Sequence, residues 1–208
     1  MLRIENLKKS YSKNVVLQLE NLDFKESINW IKGKNGTGKS TLLKCIAGLI
    51  SFQGDIIFKN VSIKKNLRTF LKEVNYCSTE PNYPGFLTGE QLAKFFIKSK
   101  NGSFSEIEKI MTDFEMLDYY KNLPLSDYSS GMLKKISICL SLIGNPNVIL
   151  LDEPFITLDI KSINVLNDLL INISKLNKTI ILTSHLEELP FEYNELNLDL
   201  LNYRNKND

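Results

Sequence analysis

The sequence is poor in the residues that staple or metallate small proteins. It has three cysteines and one histidine in 208 residues. Cys45, Cys77 and Cys139 are odd in number and lack paired spacing, which excludes a disulfide framework or a cysteine zinc site and leaves reduced thiols filling space as the expectation. No run of about 18 apolar residues occurs, so a membrane-spanning helix is excluded. Met1 to Asn6 carries charge where a signal peptide needs an apolar stretch. A cytosolic chain that does not itself enter the membrane is expected. Charge of one sign is missing too: 26 basic against 24 acidic residues give a net charge of +2, so no electrostatic footprint for nucleic acid exists. Repeats, low-complexity tracts and linkers are absent, and the polar residues 202–208 are expected to fray.

What is present is an alternation of short apolar runs and helical patterns. Leu2 to Leu7, Val15 to Leu19, Ile28 to Ile31 and Gly54 to Phe58 read as strands. Ser40 to Ala47 reads as a helix stopped by Gly48. From Thr88 to about Leu142 apolar residues recur at helical spacing, including Leu92, Phe95, Phe96, Ile107, Ile110, Met111, Phe114 and Leu117. Val148 to Leu151 and Thr179 to Thr183 are unbroken apolar runs of the kind buried on both faces of a parallel sheet, joined by a helical stretch from Ile160 to Leu176. The expected fold is therefore α/β: a largely parallel P-loop NTPase core, antiparallel strands near the N-terminus and an inserted helical lobe. One domain over 1–208 is expected, with the core at about 1–84 and 143–208 and the lobe at about 85–142.

Gly33, Lys34, Asn35, Gly36, Thr37, Gly38, Lys39, Ser40 and Thr41 form a complete P-loop pattern between a strand and a helix. Its glycines let the backbone curl with N–H groups pointing inward, and the helix start adds its positive dipole end, which suits a polyphosphate. Lys39 is expected to reach the β and γ phosphates and Ser40 to ligate Mg²⁺. An apolar strand ending in Asp152 and Glu153 places two acids at the carboxyl edge of the sheet, where ligands bind in such folds. Asp152 is expected in the Mg²⁺ shell and Glu153 as the group that polarises the attacking water.

Between these motifs stands Tyr128-Ser129-Ser130-Gly131-Met132, leading a helical segment. It resembles the signature motif, usually Leu-Ser-Gly-Gly-Gln, of ATP-binding-cassette (ABC) ATPases. The order of P-loop, helical lobe, signature, acidic strand end, Leu158-Asp159 and Thr183-Ser184-His185 resembles that family over nearly the whole chain. The resemblance implies an ATPase subunit that powers transport through a separate transmembrane subunit, at the cytoplasmic face of the membrane. It implies two cassettes, identical or different, sandwiching two ATP molecules, with Ser129 and Gly131 of one facing the γ phosphate on the P-loop of the other. It makes His185 the switch histidine, Asp159 the residue communicating across the dimer, and Tyr11 the ring stacked on adenine. Ser129 is physically a good helix cap in any case, and so is Asp159 before Ile160.

Two departures qualify the resemblance. The loop that usually carries a metal-reaching Gln reads Tyr76-Cys77-Ser78-Thr79-Glu80-Pro81, so Thr79 or Glu80 must take that position, with slowed or altered turnover as the consequence. The signature has Tyr128, Ser130 and Met132 at variant positions. Together with the Ser-Gly-Met form, the short C-terminus resembles the exporter branch of the family. The rival expectations are a soluble ABC ATPase outside transport and a low-turnover ATP-gated module.

Overall fold

The computed structural model describes residues 1–204; 205–208, and with them the end of the segment expected to fray, lie outside the described residues. The chain opens with a long hairpin, β1 (Leu2–Tyr11) and β2 (Asn14–Phe24), followed by β3 (Ile28–Lys32) and α1 (Lys39–Ile46). Next come β4 (Gln53–Phe58), β5 (Val61–Ser62), α2 (Leu67–Glu73) and β6 (Val74–Cys77). Four helices follow: α3 (Gly89–Lys100), α4 (Phe104–Asp113), α5 (Leu117–Asn122) and α6 (Ser130–Leu142). The chain then returns to strands with β7 (Val148–Leu151), crosses through α7 (Ile160–Ser174) to β8 (Thr179–Thr183), and continues into β9 (Asn194–Asn197) and α8 (Leu198–Arg204).

Two sheets result. One is antiparallel, in the order β2-β1-β4-β5; the other has the order β6-β7-β8-β3-β9 and all its pairings are parallel. The unbroken apolar runs in β7 and β8 are explained by cover on both faces. Ile149 and Leu151 of β7, with Ile180 and Leu182 of β8, enter a core shared with α6 and α7. The alternate residues Val148, Leu150 and Ile181 enter a second core with α1 and the antiparallel sheet. Cys77 and Cys139 are buried in the first core and Cys45 in the second, all as free thiols.

Several expectations are corrected. The first two strands run well past Leu7 and Leu19: pairing at the hairpin tip carries the polar end of β1, and the end of β2 pairs with the start of β1 and buries Leu22 and Phe24. Phe95 is 65% exposed: α3 buries Leu92 and Ala93, and at about 100° per residue position 95 falls on the flank away from them. The last crossover helix stops at Ser174 rather than Leu176. Residues Asn202 to Arg204, expected to fray, belong to α8. Helix α2 and strands β5, β6 and β9 were not anticipated, since runs of two to seven residues carry too little periodicity.

Gly54 pins the antiparallel sheet. Its φ is +89°, and a Cβ there would sit 2.1 Å from the Asn6 carbonyl oxygen, where β1 shifts register against β4. Gly54→Ala is expected to cost about 2–4 kcal/mol through backbone strain and displacement, read as a lowered denaturation midpoint. An unchanged midpoint would show that the two strands separate freely there.

Candidate functional site

The parallel sheet brings the chemistry to one edge. The loop from Gly33 to Gly38 joins β3 to α1, and Lys39 folds back over it, Nζ donating to the carbonyls of Gly33 at 2.7 Å and Lys34 at 3.2 Å. The Lys34 N–H donates outward to Asp199 Oδ2 of α8 at 3.0 Å.

Strand order supplies the next contacts. With β8 between β3 and β7, Thr183 at the end of β8 stands beside Asp152. Its hydroxyl donates to Asp152 Oδ1 at 2.8 Å and accepts the Glu153 backbone N–H at 3.0 Å. Ser40 Oγ donates to the same Asp152 oxygen at 3.0 Å. From the other side of β7, Tyr76 OH donates to Asp152 Oδ2 at 3.2 Å. Asp152 is thus buried and held by three hydroxyls. Glu153 has a left-handed backbone, φ +47°, a conformation that costs on the order of 1 kcal/mol for a non-glycine residue. Its Oε2 accepts the His185 backbone N–H at 3.1 Å, and its Oε1 lies 3.4 Å from His185 Nε2. Burial pushes the Glu153 carboxyl above the usual carboxylate range, while His185 and Lys39 pull the other way. A carboxyl held in that state beside an imidazole suits proton transfer.

Lys39, Ser40, Glu153 and His185 line a cleft of about 480 Å³, while Asp152 and Thr183 are buried and off its lining. Asn35, Gly36, Gly38, Lys39, Ser40 and Thr41 line one side; Glu153 and His185 close the strand ends; Tyr11, half-exposed, stands at the rim. Gly33, Lys34 and Thr37 shape the loop without lining the cleft. Thr79 lines it, whereas Glu80 is exposed and apart from it. Of the two candidates for the missing Gln, the structure brings Thr79 to the site. Oxygen donors at Ser40 and Asp152 fit a hard divalent cation such as Mg²⁺.

Ser129, Gly131 and Asp159 are not on this wall. Ser129 is exposed and caps α6, its Oγ accepting the Met132 N–H at 3.2 Å. A Cβ on Gly131 would meet the Thr157 carbonyl at 2.8 Å, so close backbone approach alone requires glycine there. Asp159 caps α7, accepting from the Ser162 N–H and hydroxyl at 2.8 and 2.9 Å, and pairs with Lys135 of α6 at 3.1 Å. The Ser162 bonds and Lys135 push its carboxyl down to about 2.

Sequence reasoning missed Thr183 as a ligand of the acidic pair, Tyr76 as its second anchor, and Lys134. Thr183 was visible only as a neighbour of His185. The signal for Lys134 was a charge on the buried face of α6.

The family model for ABC transporters matches residues 19–156. The chain belongs to the ABC transporter family. It is the ATP-binding domain of that family, an ABC ATPase domain. It is 31% identical over 188 residues to the lantibiotic transport ATP-binding protein SrtF of Streptococcus pyogenes, covering 89% of this chain and 80% of that one. It is 32% identical over 201 residues to the aliphatic sulfonates import ATP-binding protein SsuB of Bacillus cereus, covering 93% and 78%. Its fold is similar to that of a dimeric, post-hydrolysis ATP-binding cassette bound to ADP and Pi, with a TM-score of 0.74 at 23% identity over 89% of this chain and 88% of that one. No helix among the described residues is long and apolar enough to cross a membrane.

Proposed function

We propose that this ABC ATPase domain binds MgATP in the cleft beside Lys39, dimerises around it, and hydrolyses it to drive a separate transmembrane subunit from the cytoplasmic face. The observation that carries the reading is the Ser40–Asp152–Thr183–Glu153–His185 chain of contacts, of which Ser40, Glu153 and His185 line that cleft. Lys39 would leave its two loop carbonyls for the β and γ phosphates, and the loop N–H groups would hold the remaining oxygens. Ser40 and Asp152 would hold Mg²⁺, which when bound neutralises phosphate charge. Glu153 would accept a proton from the attacking water, with His185 keeping the carboxylate aimed. Tyr11 would stack on the base at the rim.

The exposed Ser129 cap, with the Gly131 backbone beside it, would meet the phosphates held by a second cassette, identical or different. Asp159, tied by Lys135 to the same helix, would report closure across that interface. Dimerisation of the similar cassette with ADP and Pi supports this arrangement. The membrane subunit would dock near 79–89. We propose export as the direction, on the Ser-Gly-Met form of the signature; the lantibiotic-transport and sulfonate-import relatives are similar to the same degree and do not choose between directions. The purified chain should release phosphate with MgATP and shift toward dimer by light scattering. A chain that stays monomeric and releases none at saturating MgATP overturns the proposal.

A further inference from the structure

Lys134 lies in the second turn of α6 and is 1% exposed, yet no carboxylate among the described residues forms an ion pair with it. Its ammonium donates to three main-chain carbonyls: Ser78 at 2.9 Å, Thr79 at 2.6 Å and Glu153 at 3.3 Å. An ammonium has three N–H donors, so all of them are used. The acceptors come from two different segments, the loop after β6 and the turn after β7. Burying a charge this deeply costs several kcal/mol unless its donors are met, and a leucine would fill the same space without that cost. The lysine therefore does something that packing does not.

Glu153 shows what that is. Its strained left-handed backbone is fixed on one side by Thr183 at its N–H and on the other by Lys134 at its carbonyl. Conformations of this kind persist only where surrounding contacts over-determine them. Thr79, whose carbonyl is held by the same ammonium, also lines the cleft. We infer that Lys134 is a positioning residue through which α6 sets the placement of Glu153 and Thr79 relative to the cleft. One ammonium ties the helix capped by Ser129 to both, so a ligand pressing on the start of α6 is felt at the Glu153 backbone.

The inference rests on the ATPase reading above, and the two fail differently: an unmodified chain without turnover removes the ATPase reading, while a normal rate in Lys134→Met removes only this one. The test uses Lys134→Met, which keeps an unbranched stem as far as Cε but has no donors, and Lys134→Gln, which restores two amide donors without charge. Lys134→Met is expected to lower kcat at least tenfold with KM for ATP within about twofold and the melting midpoint little changed, because the cleft's phosphate contacts are untouched. Lys134→Gln is expected to recover a measurable part of that loss. A wild-type kcat in Lys134→Met overturns the inference. So does a loss in both variants that follows the unfolded fraction alone, or a rise in KM with kcat unchanged. Should Lys134→Met fail to fold, a lowered kcat in Lys134→Gln with KM and midpoint unchanged supports the inference, and a wild-type kcat or a KM-only defect there overturns it.

Discussion

Phosphate release by Glu153→Gln is expected to fall by about 10²–10⁴-fold, the range general bases contribute, while MgATP binding is retained. The amide is nearly the shape of the carboxyl, so the His185 backbone N–H still finds an acceptor oxygen at the position of Oε2. What is lost is the capacity to take a proton. Because burial already raises the Glu153 carboxyl, exchanging it for a neutral amide also removes an unfavourable buried charge, so the fold should be at least as stable. The nucleotide-closed dimer should accumulate for the same reason, since the step that reopens it is blocked. Single-turnover phosphate release combined with light scattering at saturating MgATP reads both effects. A variant that turns over at the normal rate would show that some other group activates the water.

Lys39→Ala should be nearly as severe and different in kind. Here the expected loss is in binding: a charge-assisted contact to phosphate contributes roughly 1.5–3 kcal/mol, so ATP affinity should weaken by about ten- to a hundredfold and dimer formation should fail at concentrations that close the unmodified chain. Folding should survive. The carbonyls that Lys39 now occupies belong to Gly33, which is partly exposed, and Lys34, which is exposed, so water can replace the ammonium. Fluorescent-nucleotide titration separates this outcome from that of Glu153→Gln. Equal affinity in both variants would mean that Lys39 belongs to the loop's structure rather than to the phosphate.

The contrast between the two variants follows from how the site is assembled. Lys39 and Ser40 are placed by their own segment, a strand, a curled loop and a helix start within nine residues of Gly33, and a contiguous pattern of that sort was readable directly. Asp152 and Glu153 were readable as the acidic end of an apolar strand, and Ser129 and Asp159 as helix caps, because a cap acts within three residues of itself. The choice between Thr79 and Glu80 was not readable. Neighbouring residues in a loop differ in direction, and only packing against α6 turns Thr79 to the cleft and Glu80 to solvent.

By itself, then, the sequence determined the glycine-rich loop between β3 and α1, the acidic end of β7, the parallel character of β7 and β8, and the family to which the chain belongs. Each depends on local spacing or on motif order along one dimension. The tertiary structure decided that Thr183 and Tyr76 flank Asp152, that Lys134 pins Glu153, and that Asp199 meets the loop at Lys34. Those contacts span between 19 and 165 residues of chain; Thr183 and Tyr76 reach Asp152 because β8 and β6 lie on either side of β7, and Asp199 reaches Lys34 because β9 lies beside β3. No local propensity encodes which strand lies next to which; burial of both faces of the sheet does.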